Sequence, residues 1–280
     1  MPETLAARFE AERPRLRALA RRMLGSAAEA EDAVQESWLR LAAAPEPDNL
    51  AAWLTTVVSR ICLDLLRARR ETPTEHVPDR GVAGPEDDVE LADEVGRALL
   101  VVLATLEPAE RVAFVLHDLF AVPFGAIGPI LDRTPATTKK LASRARLRMR
   151  GTPALPAPEL ARDRQVVEAF LVAARGGDLA ALLSLLAPDV VRHADAAALP
   201  PGAAAVLRGA DAVARGTRVF ARRAALAELA LVDGAVGLVL APAGRLAGAL
   251  KVTVVAGRVT AYEVIADPDR LGKVEIALLP

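Results

Sequence analysis

The sequence contains very few residues of the kinds that build disulfides, metal centres or membrane spans. Cys62 is the only cysteine among 280 residues, which excludes an internal disulfide and a multi-cysteine zinc site. Aromatic residues make up 3% of the chain. The longest apolar runs, such as Ala98 to Ala104, are far shorter than the ~20 residues that cross a bilayer. We therefore expect no membrane helix, no bound metal, no cofactor and no redox chemistry.

Net charge is also nearly absent, at -1, which argues against a uniformly basic nucleic-acid binder but leaves room for local basic patches. Hydrophobic residues make up 52% and charged residues 25%, as in a folded globular protein. Near the N-terminus, Glu3, Arg8, Glu10 and Glu12 stand where a secretory signal needs an apolar stretch. We expect a cytoplasmic protein of at least two domains.

Three patterns follow one another along the chain. Apolar residues recur at helical spacing from 5 to 70 and again from 91 to 150, with a proline-containing acidic stretch between them. After a second break, helical stretches lead into alternating strands that are divided by turns such as Asp233-Gly234. The sequence therefore predicts a multi-domain chain with two all-α domains and a C-terminal α+β domain built on an antiparallel meander.

The segment from 32 to 41 has the pattern of one amphipathic helix. Val34, Trp38 and Leu41 share its inner face at helical spacing. The opposite face mixes acidic, amide and basic side chains with one exposed leucine: Asp32, Gln35, Glu36, Leu39 and Arg40. From periodicity alone, both a solvated face and a partner-docking face remain open.

The next predicted helix begins near Leu50, after Asp48 or Asn49 as its N-cap, and places apolar residues inward as far as Leu65. Its outer face keeps three charged residues: Arg60, Asp64 and Arg67. Its basic C-terminal end fits either the helix dipole or contact with phosphate.

The strongest local charge lies between 133 and 150, where no acidic residue interrupts the basic series Arg133, Lys139, Lys140, Arg144, Arg146, Arg148 and Arg150. Thr134 as N-cap and Pro135 at the first helical position begin a helix there. A short helix over 124 to 131 precedes it across a tight turn, so the pair predicts a helix-turn-helix.

The second helix of such a motif presents its first exposed side chains to base edges in the major groove. The residues at those positions are Thr137, Thr138, Lys140 and Arg144. We expect the cations further along the helix to contact phosphate instead: Arg146, Arg148 and Arg150.

Four separated stretches together resemble the extracytoplasmic-function sigma factors of bacterial RNA polymerase: Leu19 to Gly25, Ala30 to Arg40, Leu106 to Leu116 and Leu141 to Arg146. The resemblance implies sigma region 2 at 1–70, an acidic linker at 71–94 and region 4 with its helix-turn-helix at 95–150. It also implies that the stripe from Asp32 to Arg40 binds core RNA polymerase.

The same resemblance implies two promoter-reading sets. The minus-ten element would be read by Asn49, Trp53, Arg60, Asp64 and Arg67. The minus-thirty-five element would be read by Thr137, Thr138, Lys140, Arg144, Arg146 and Arg148.

Residues 159–280, after a linker at 151–158, resemble the SnoaL-like (NTF2-like) cone fold that is fused to one subgroup of these sigma factors. The ending Ile265 to Leu271 carries the likeness, because it is similar to the subgroup's Asn-Pro-Asp-Lys-Leu motif. The resemblance implies a built-in regulator whose contact is formed by Asp267, Pro268, Asp269, Arg270 and Leu271. The subgroup's glycine-rich aspartate loop is replaced by Asp195 to Pro201, and Pro129 stands within the first helix of the DNA reader.

Another function stays open: a helix-turn-helix regulator that binds DNA unaided, with a ligand-sensing or enzymatic cone domain. Catalysis would draw on His193, Asp195, Tyr262 or Glu263, of which Tyr262 and Glu263 face opposite sides of one strand. An apolar cone could also hold a small molecule. The favoured interpretation is a non-enzymatic sigma factor, monomeric when free, whose partners are core RNA polymerase and promoter DNA.

Overall fold

The computed structural model describes residues 4–71, 97–218, 220–242 and 246–280. Its first part is helical, with α1 (Leu5–Leu24), α2 (Ala27–Ala42), α3 (Leu50–Glu71), α4 (Arg97–Thr105), α5 (Pro108–Phe114), α6 (Phe124–Leu131) and α7 (Pro135–Arg150). A π-helical turn over Val115–Leu119 continues α5. The acidic linker predicted at 71–94 lies outside the described residues from position 72 onward.

The second part combines helices and strands. Its helices are α8 (Ala157–Gly176), α9 (Leu179–Leu185), α10 (Ala210–Arg218), α11 (Ala221–Ala224) and α12 (Pro268–Leu271). Its strands are β1 (Leu186–Ala194), β2 (Val206–Arg208), β3 (Ala227–Val232), β4 (Ala235–Leu240), β5 (Gly248–Val255), β6 (Arg258–Ile265) and β7 (Ile276–Ala277). The predicted fold class, two all-α segments followed by an α+β domain, is confirmed. No helix among the described residues is long and apolar enough to cross a membrane.

The described residues form two compact units. The first combines the residues up to Glu71 with Leu106–Leu147, and the second combines α4 with Arg148–Pro280. The boundary between the two units divides the segment 95–150, which the sequence assigned to one region. Helix α4 belongs to the second unit because it packs against β3, β4 and β7. The reason is composition: α4 buries Leu100, Val101, Val102 and Leu103 on more than one face.

Short polar side chains fix where the helices of the first unit begin. Thr4 and Ser26 accept hydrogen bonds from backbone N–H groups in the first turns of α1 and α2. Asn49 caps α3, because its Oδ1 accepts from the N–H of Ala52 at 3.0 Å. Gly25 ends α1 at a φ of 76°, which glycine adopts without steric cost.

The buried face of α3 differs from the prediction at its end. Leu54, Val58, Cys62 and Leu66 follow one another at i,i+4 spacing and are buried. Leu65, which we expected to point inward, is 37% exposed because it lies beside this stripe. Burial also raises the pKa of the Cys62 thiol to about 12, so this cysteine is unreactive at neutral pH.

The predicted helix-turn-helix is present in the first unit. Asp132 ends α6 in a left-handed conformation, and Thr134 Oγ1 accepts from the N–H of Thr137 at 3.2 Å to begin α7. Gly128 is required at the turn, since a Cβ there would lie 2.7 Å from the carbonyl oxygen of Arg133. Pro129 is accommodated inside α6.

The second unit has one mixed sheet in the order β2-β1-β6-β5-β4-β3-β7. Strands β3 to β6 form the predicted antiparallel meander, and β1 pairs with β6 in parallel. The helices α8, α9 and α10 close over one face, where Phe170, Leu182 and Val213 join side chains of β4, β5 and β6 in the core.

Candidate nucleic-acid and partner interface

The stripe predicted for partner binding lies together on the outer face of α2. Asp32, Gln35 and Arg40 are exposed, Glu36 pairs with Arg40 at 2.9 Å, and Leu39 is 62% exposed. On the opposite face Val34 and Leu41 are fully buried. A large apolar side chain that is exposed to solvent in the middle of a polar surface is typical of a protein–protein contact.

The five residues predicted to read the minus-ten element lie on α3 or at its start. The side-chain oxygen of Asn49 caps the helix, and Trp53, one turn later, is half-buried. Arg60 is exposed, but its Nη2 donates to the carbonyl oxygen of Pro129 at 2.9 Å. Asp64 and Arg67 are exposed, 3.9 Å apart. Part of this set is therefore occupied by contacts within the protein.

Helix α7 presents a divided basic surface. Lys140 and Arg144 are exposed near its start, as predicted, and Arg148 is exposed near its end. Thr137 is half-buried, with its Oγ1 3.0 Å from that of Thr134. Arg146 instead forms two hydrogen bonds with Asp118, of 2.6 and 3.2 Å, so its charge is already partly neutralised.

The inclusion of Thr138 among the base-reading residues requires correction. Thr138 is fully buried, and its hydroxyl donates to the carbonyl oxygen of Thr134 at 3.0 Å. It occupies the same inward stripe as Ala142, Ala145 and Met149, all buried. The i,i+4 spacing from Ala142 back to Thr138 was the sequence signal that could have placed it inside.

Contacts between the two helical regions within the first unit were not predicted. Arg111 of α5 is buried, and its Nη1 donates to the carbonyl oxygen of Met23 in α1 at 2.9 Å. Burial, with repulsion from Arg69, lowers the pKa of Arg111 to about 10, so it remains charged at neutral pH. Arg22 also lies over the ring of Phe120, 5.5 Å from its centre. These contacts hold α5 and the turn that follows it against α1.

In the second unit, the segment Asp267 to Leu271 forms the short helix α12 and a network within its own domain. Asp267 caps α12 by accepting from the N–H groups of Asp269 and Arg270. The Arg270 guanidinium bridges Asp195 and Glu263, the latter at 2.7 Å. Pro268 and Asp269 are exposed.

Asp195 joins two loops that are far apart in sequence. Its Oδ2 accepts from the N–H groups of Ala266 and Asp267 at 3.0 and 3.1 Å. Burial by itself would raise the pKa of Asp195, but these hydrogen bonds and Arg270 hold it below its ordinary value. Sequence reasoning missed this pair because nothing local in the segment 195–201 points to Arg270.

The four side chains considered for catalysis do not all lie on one face of the sheet. Tyr262 is buried toward the helices, with its hydroxyl 2.8 Å from Thr217 Oγ1. His193 and Glu263 are aligned on neighbouring strands and face the other side of the sheet. Within the described ranges, no three His, Cys, Asp or Glu side chains cluster in a way that could hold a metal ion.

Comparisons with known proteins match both helical regions. Residues 8–72 match the family model for Sigma-70 region 2, and residues 96–149 match that for Sigma-70, region 4. The chain is 44% identical over 202 residues to the ECF RNA polymerase sigma factor SigJ of Mycobacterium tuberculosis, covering 67% of this chain and 64% of SigJ. It is 40% identical over 205 residues to the probable ECF RNA polymerase sigma factor SigI of the same species, covering 69% of this chain and 71% of SigI.

A crystal structure of Mycobacterium tuberculosis extracytoplasmic function sigma factor SigJ is 37% identical, covers 95% of this chain and 98% of that chain, and gives a TM-score of 0.47. The sequence alignment with SigJ thus spans slightly less than two thirds of that relative's length.

Proposed function

This chain belongs to the extracytoplasmic-function sigma factors, and we propose that it binds core RNA polymerase through α2 and directs it to promoters by reading two DNA elements. The observation that carries the proposal is the exposed stripe on α2, where Leu39 stands 62% exposed among Asp32, Gln35 and Arg40. A DNA-binding regulator that acts without polymerase has no use for this surface. Such a protein would work in the cytoplasm, where polymerase and promoters are.

The minus-thirty-five element is read by the exposed start of α7. Thr137, Lys140 and Arg144 lie on the outward face that follows the helix-turn-helix turn. Arg144 has the fork geometry that pairs with guanine in the major groove. Arg148, and Arg146 when Asp118 releases it, contribute phosphate contacts that add affinity without sequence preference.

The minus-ten element is read by the outer face of α3. Trp53 supplies a ring for an unstacked base, and Arg60 and Arg67 supply charge along the strand. Asn49 contributes through its amide nitrogen, since its side-chain oxygen caps the helix.

The first unit as it stands is a closed form of the protein. The names of the two elements place them about 25 base pairs apart, which is about 85 Å of DNA at about 3.4 Å per pair. The hydrogen bond from Arg60 to Pro129, at 2.9 Å, keeps the minus-ten reader in contact with the helix that precedes the minus-thirty-five reader. Both elements can be read together only after these regions separate, and polymerase binding supplies the free energy for that separation.

The α+β domain modulates this activity and is not an enzyme. Its polar candidates are divided between the two faces of the sheet, with Tyr262 toward the covering helices and the neighbours His193 and Glu263 on the other side. Its regulatory element is α12, where Asp269 and Pro268 are exposed while Arg270 ties the segment to Asp195 and Glu263.

Reconstitution with core polymerase on genomic promoter DNA, followed by sequencing of the transcripts, tests the function directly. We expect defined transcript starts that require both the chain and core polymerase. Specific DNA binding by the chain alone, with no change in transcript starts, would support the unaided regulator instead. Truncation after Gly151 should change the transcript yield, and unchanged yield and unchanged affinities for polymerase and promoter would contradict modulation by the α+β domain.

A further inference from the structure

One cation is buried inside the second unit without a carboxylate partner. Arg192 on β1 is 2% exposed and is aligned with Tyr262 on β6. The ring of Tyr262 lies 5.5 Å from that of Phe170 in α8, so this side of the strands faces the covering helices. Among the residues that the structure describes, Arg192 forms no ion pair, and its hydrogen-bond acceptor is the carbonyl oxygen of Ala204.

The guanidinium also has an unused donor. Arg192 Nε is buried and has no acceptor in the described part of the chain. The side chains that form the surrounding core are apolar, including Val190, Val213 and Val252. Burying a guanidinium in apolar surroundings costs more free energy than one hydrogen bond to a carbonyl oxygen recovers. Proteins therefore retain buried charges where an anion or a hydrogen-bond network compensates them.

A second donor stands beside the guanidinium. The hydroxyl of Thr217 donates to the carbonyl oxygen of Val213 at 2.8 Å, so in its 2.8 Å contact with Tyr262 the tyrosine is the donor. Burial raises the pKa of Tyr262, more than the Thr217 contact and the charge of Arg192 lower it, so the hydroxyl keeps its proton. Arg192 therefore has an N–H without an acceptor beside a tyrosine O–H that Thr217 accepts in the ligand-free protein.

A single segment covers this region. Residues 201–206 are exposed along their whole length, and Ala204, which supplies the acceptor for Arg192, belongs to them. Gly202 lies within the segment at a φ of 80°. Replacement of the Ala204 carbonyl by another acceptor would leave the covering helices α8, α9 and α10 in place.

We propose that Arg192 and Tyr262 bind the carboxylate of a small organic acid whose apolar part packs against Phe170, Val213 and Leu207. The guanidinium fork matches a carboxylate with two parallel hydrogen bonds, and the tyrosine hydroxyl, turned from Thr217 Oγ1 to the ligand, supplies a third. The apolar lining favours an acid with a hydrocarbon or aromatic body over an inorganic anion, which would lose its hydration for few contacts. This site does not depend on sigma activity, since binding alone tests it.

Benzoate is a suitable probe, and benzamide is its neutral counterpart of the same shape. Titration of the full chain with benzoate should give saturable binding, with a dissociation constant on the order of 1 mM for a ligand of this size. The fluorescence of Tyr262, the one tyrosine in the chain, reports the event locally. Benzamide should bind at least ten-fold more weakly, because it brings no charge to Arg192.

Arg192→Met should weaken benzoate binding at least ten-fold while leaving the melting temperature of the ligand-free protein unchanged or higher, since it removes an unpaired buried charge. A purely structural arginine would instead lower that temperature. Arg208→Met, at an exposed position on β2, is the matched control and should bind benzoate as the wild type does.

If Arg192→Met does not fold, Tyr262→Phe decides the matter, because it removes one donor and should weaken binding about five- to ten-fold. The proposal is overturned by any of three results: no saturable benzoate binding, equal binding of benzoate and benzamide, or wild-type affinity in a folded Arg192→Met or Tyr262→Phe variant.

Discussion

The two units hold their polar side chains in different ways. In the first unit the residues proposed for function stand on outer faces of helices, as Leu39 and Arg144 do, and few of them contact one another. In the second unit the polar residues pair across strands and loops, as Arg270 does with Asp195 and Glu263. In the first unit, hydrogen-bond donors and apolar side chains therefore remain available to partners. The pairing in the second unit stabilises the domain and leaves Arg192 as an unpaired charge in its interior.

The largest effect should come from the surface that is most open in the first unit. The double variant Leu39→Ala with Glu36→Lys should abolish copurification with core polymerase, because a central apolar anchor and a neighbouring charge are lost together. The loss of the exposed Glu36–Arg40 pair should change the stability of the chain by less than about 1 kcal/mol. Leu147→Ala, which removes another exposed leucine on α7, is the control and should copurify normally. Unchanged binding by the double variant would show that α2 is not the polymerase surface.

The next effect separates readout from charge along α7. Arg144→Ala should cost ~1–3 kcal/mol at the minus-thirty-five element and relax the sequence preference there. Arg148→Ala should weaken binding to matched and scrambled promoters alike. Arg146→Ala should have a smaller effect than Arg144→Ala, because Arg146 is already engaged by Asp118. Equal losses on matched and scrambled DNA for Arg144→Ala would show that this helix supplies charge only.

The same contrast explains what sequence reasoning could and could not find. Helical periodicity depends on neighbours three and four positions apart, so it placed Leu39 outside and Val34 inside correctly. It counted Thr138 among the first exposed side chains of the second helix, whereas the structure buries it. The fold class of the second unit was predictable from turns and alternation, including the opposite orientations of Tyr262 and Glu263.

Contacts between residues distant in sequence were beyond such reasoning. The pair of Asp195 and Arg270 spans 75 positions, and the hydrogen bond from Arg111 to Met23 spans 88. The parallel pairing of β1 with β6 brings His193 beside Glu263 through tertiary structure alone. The docking of α4 on β3, β4 and β7 likewise depends on which apolar surfaces remain uncovered after folding.

A moderate effect should follow from cutting the network in the second unit. Arg270→Met removes the partner of both Asp195 and Glu263 and should lower the melting temperature of the second unit only slightly, because the arginine is partly exposed. Asp269→Asn, one position earlier and exposed, should leave the stability unchanged. If α12 is the regulatory contact, Asp269→Asn should still alter transcription by the full chain. Thermal melting and transcript yield, measured on both variants, distinguish a structural segment from a contact surface.

The smallest effect concerns pH, and it applies to the second unit because its acidic groups are paired. The pKa of Asp195 is lower in the folded chain than in an unfolded one, so Asp195 stabilises the fold at pH values above its unfolded pKa of about 3.9. This contribution is lost as the pH falls from that value through the lower folded pKa. Between about pH 4 and pH 3 the melting temperature of the wild type should therefore fall more steeply than that of Asp195→Asn, which accepts the same backbone hydrogen bonds without titrating.

Both tryptophans, Trp38 and Trp53, belong to the first unit and Tyr262 to the second, so the two units can be followed separately by fluorescence. The difference should appear in the tyrosine signal and not in the tryptophan signal, and the same slope in wild type and variant would show that Asp195 does not stabilise the α+β domain through its charge.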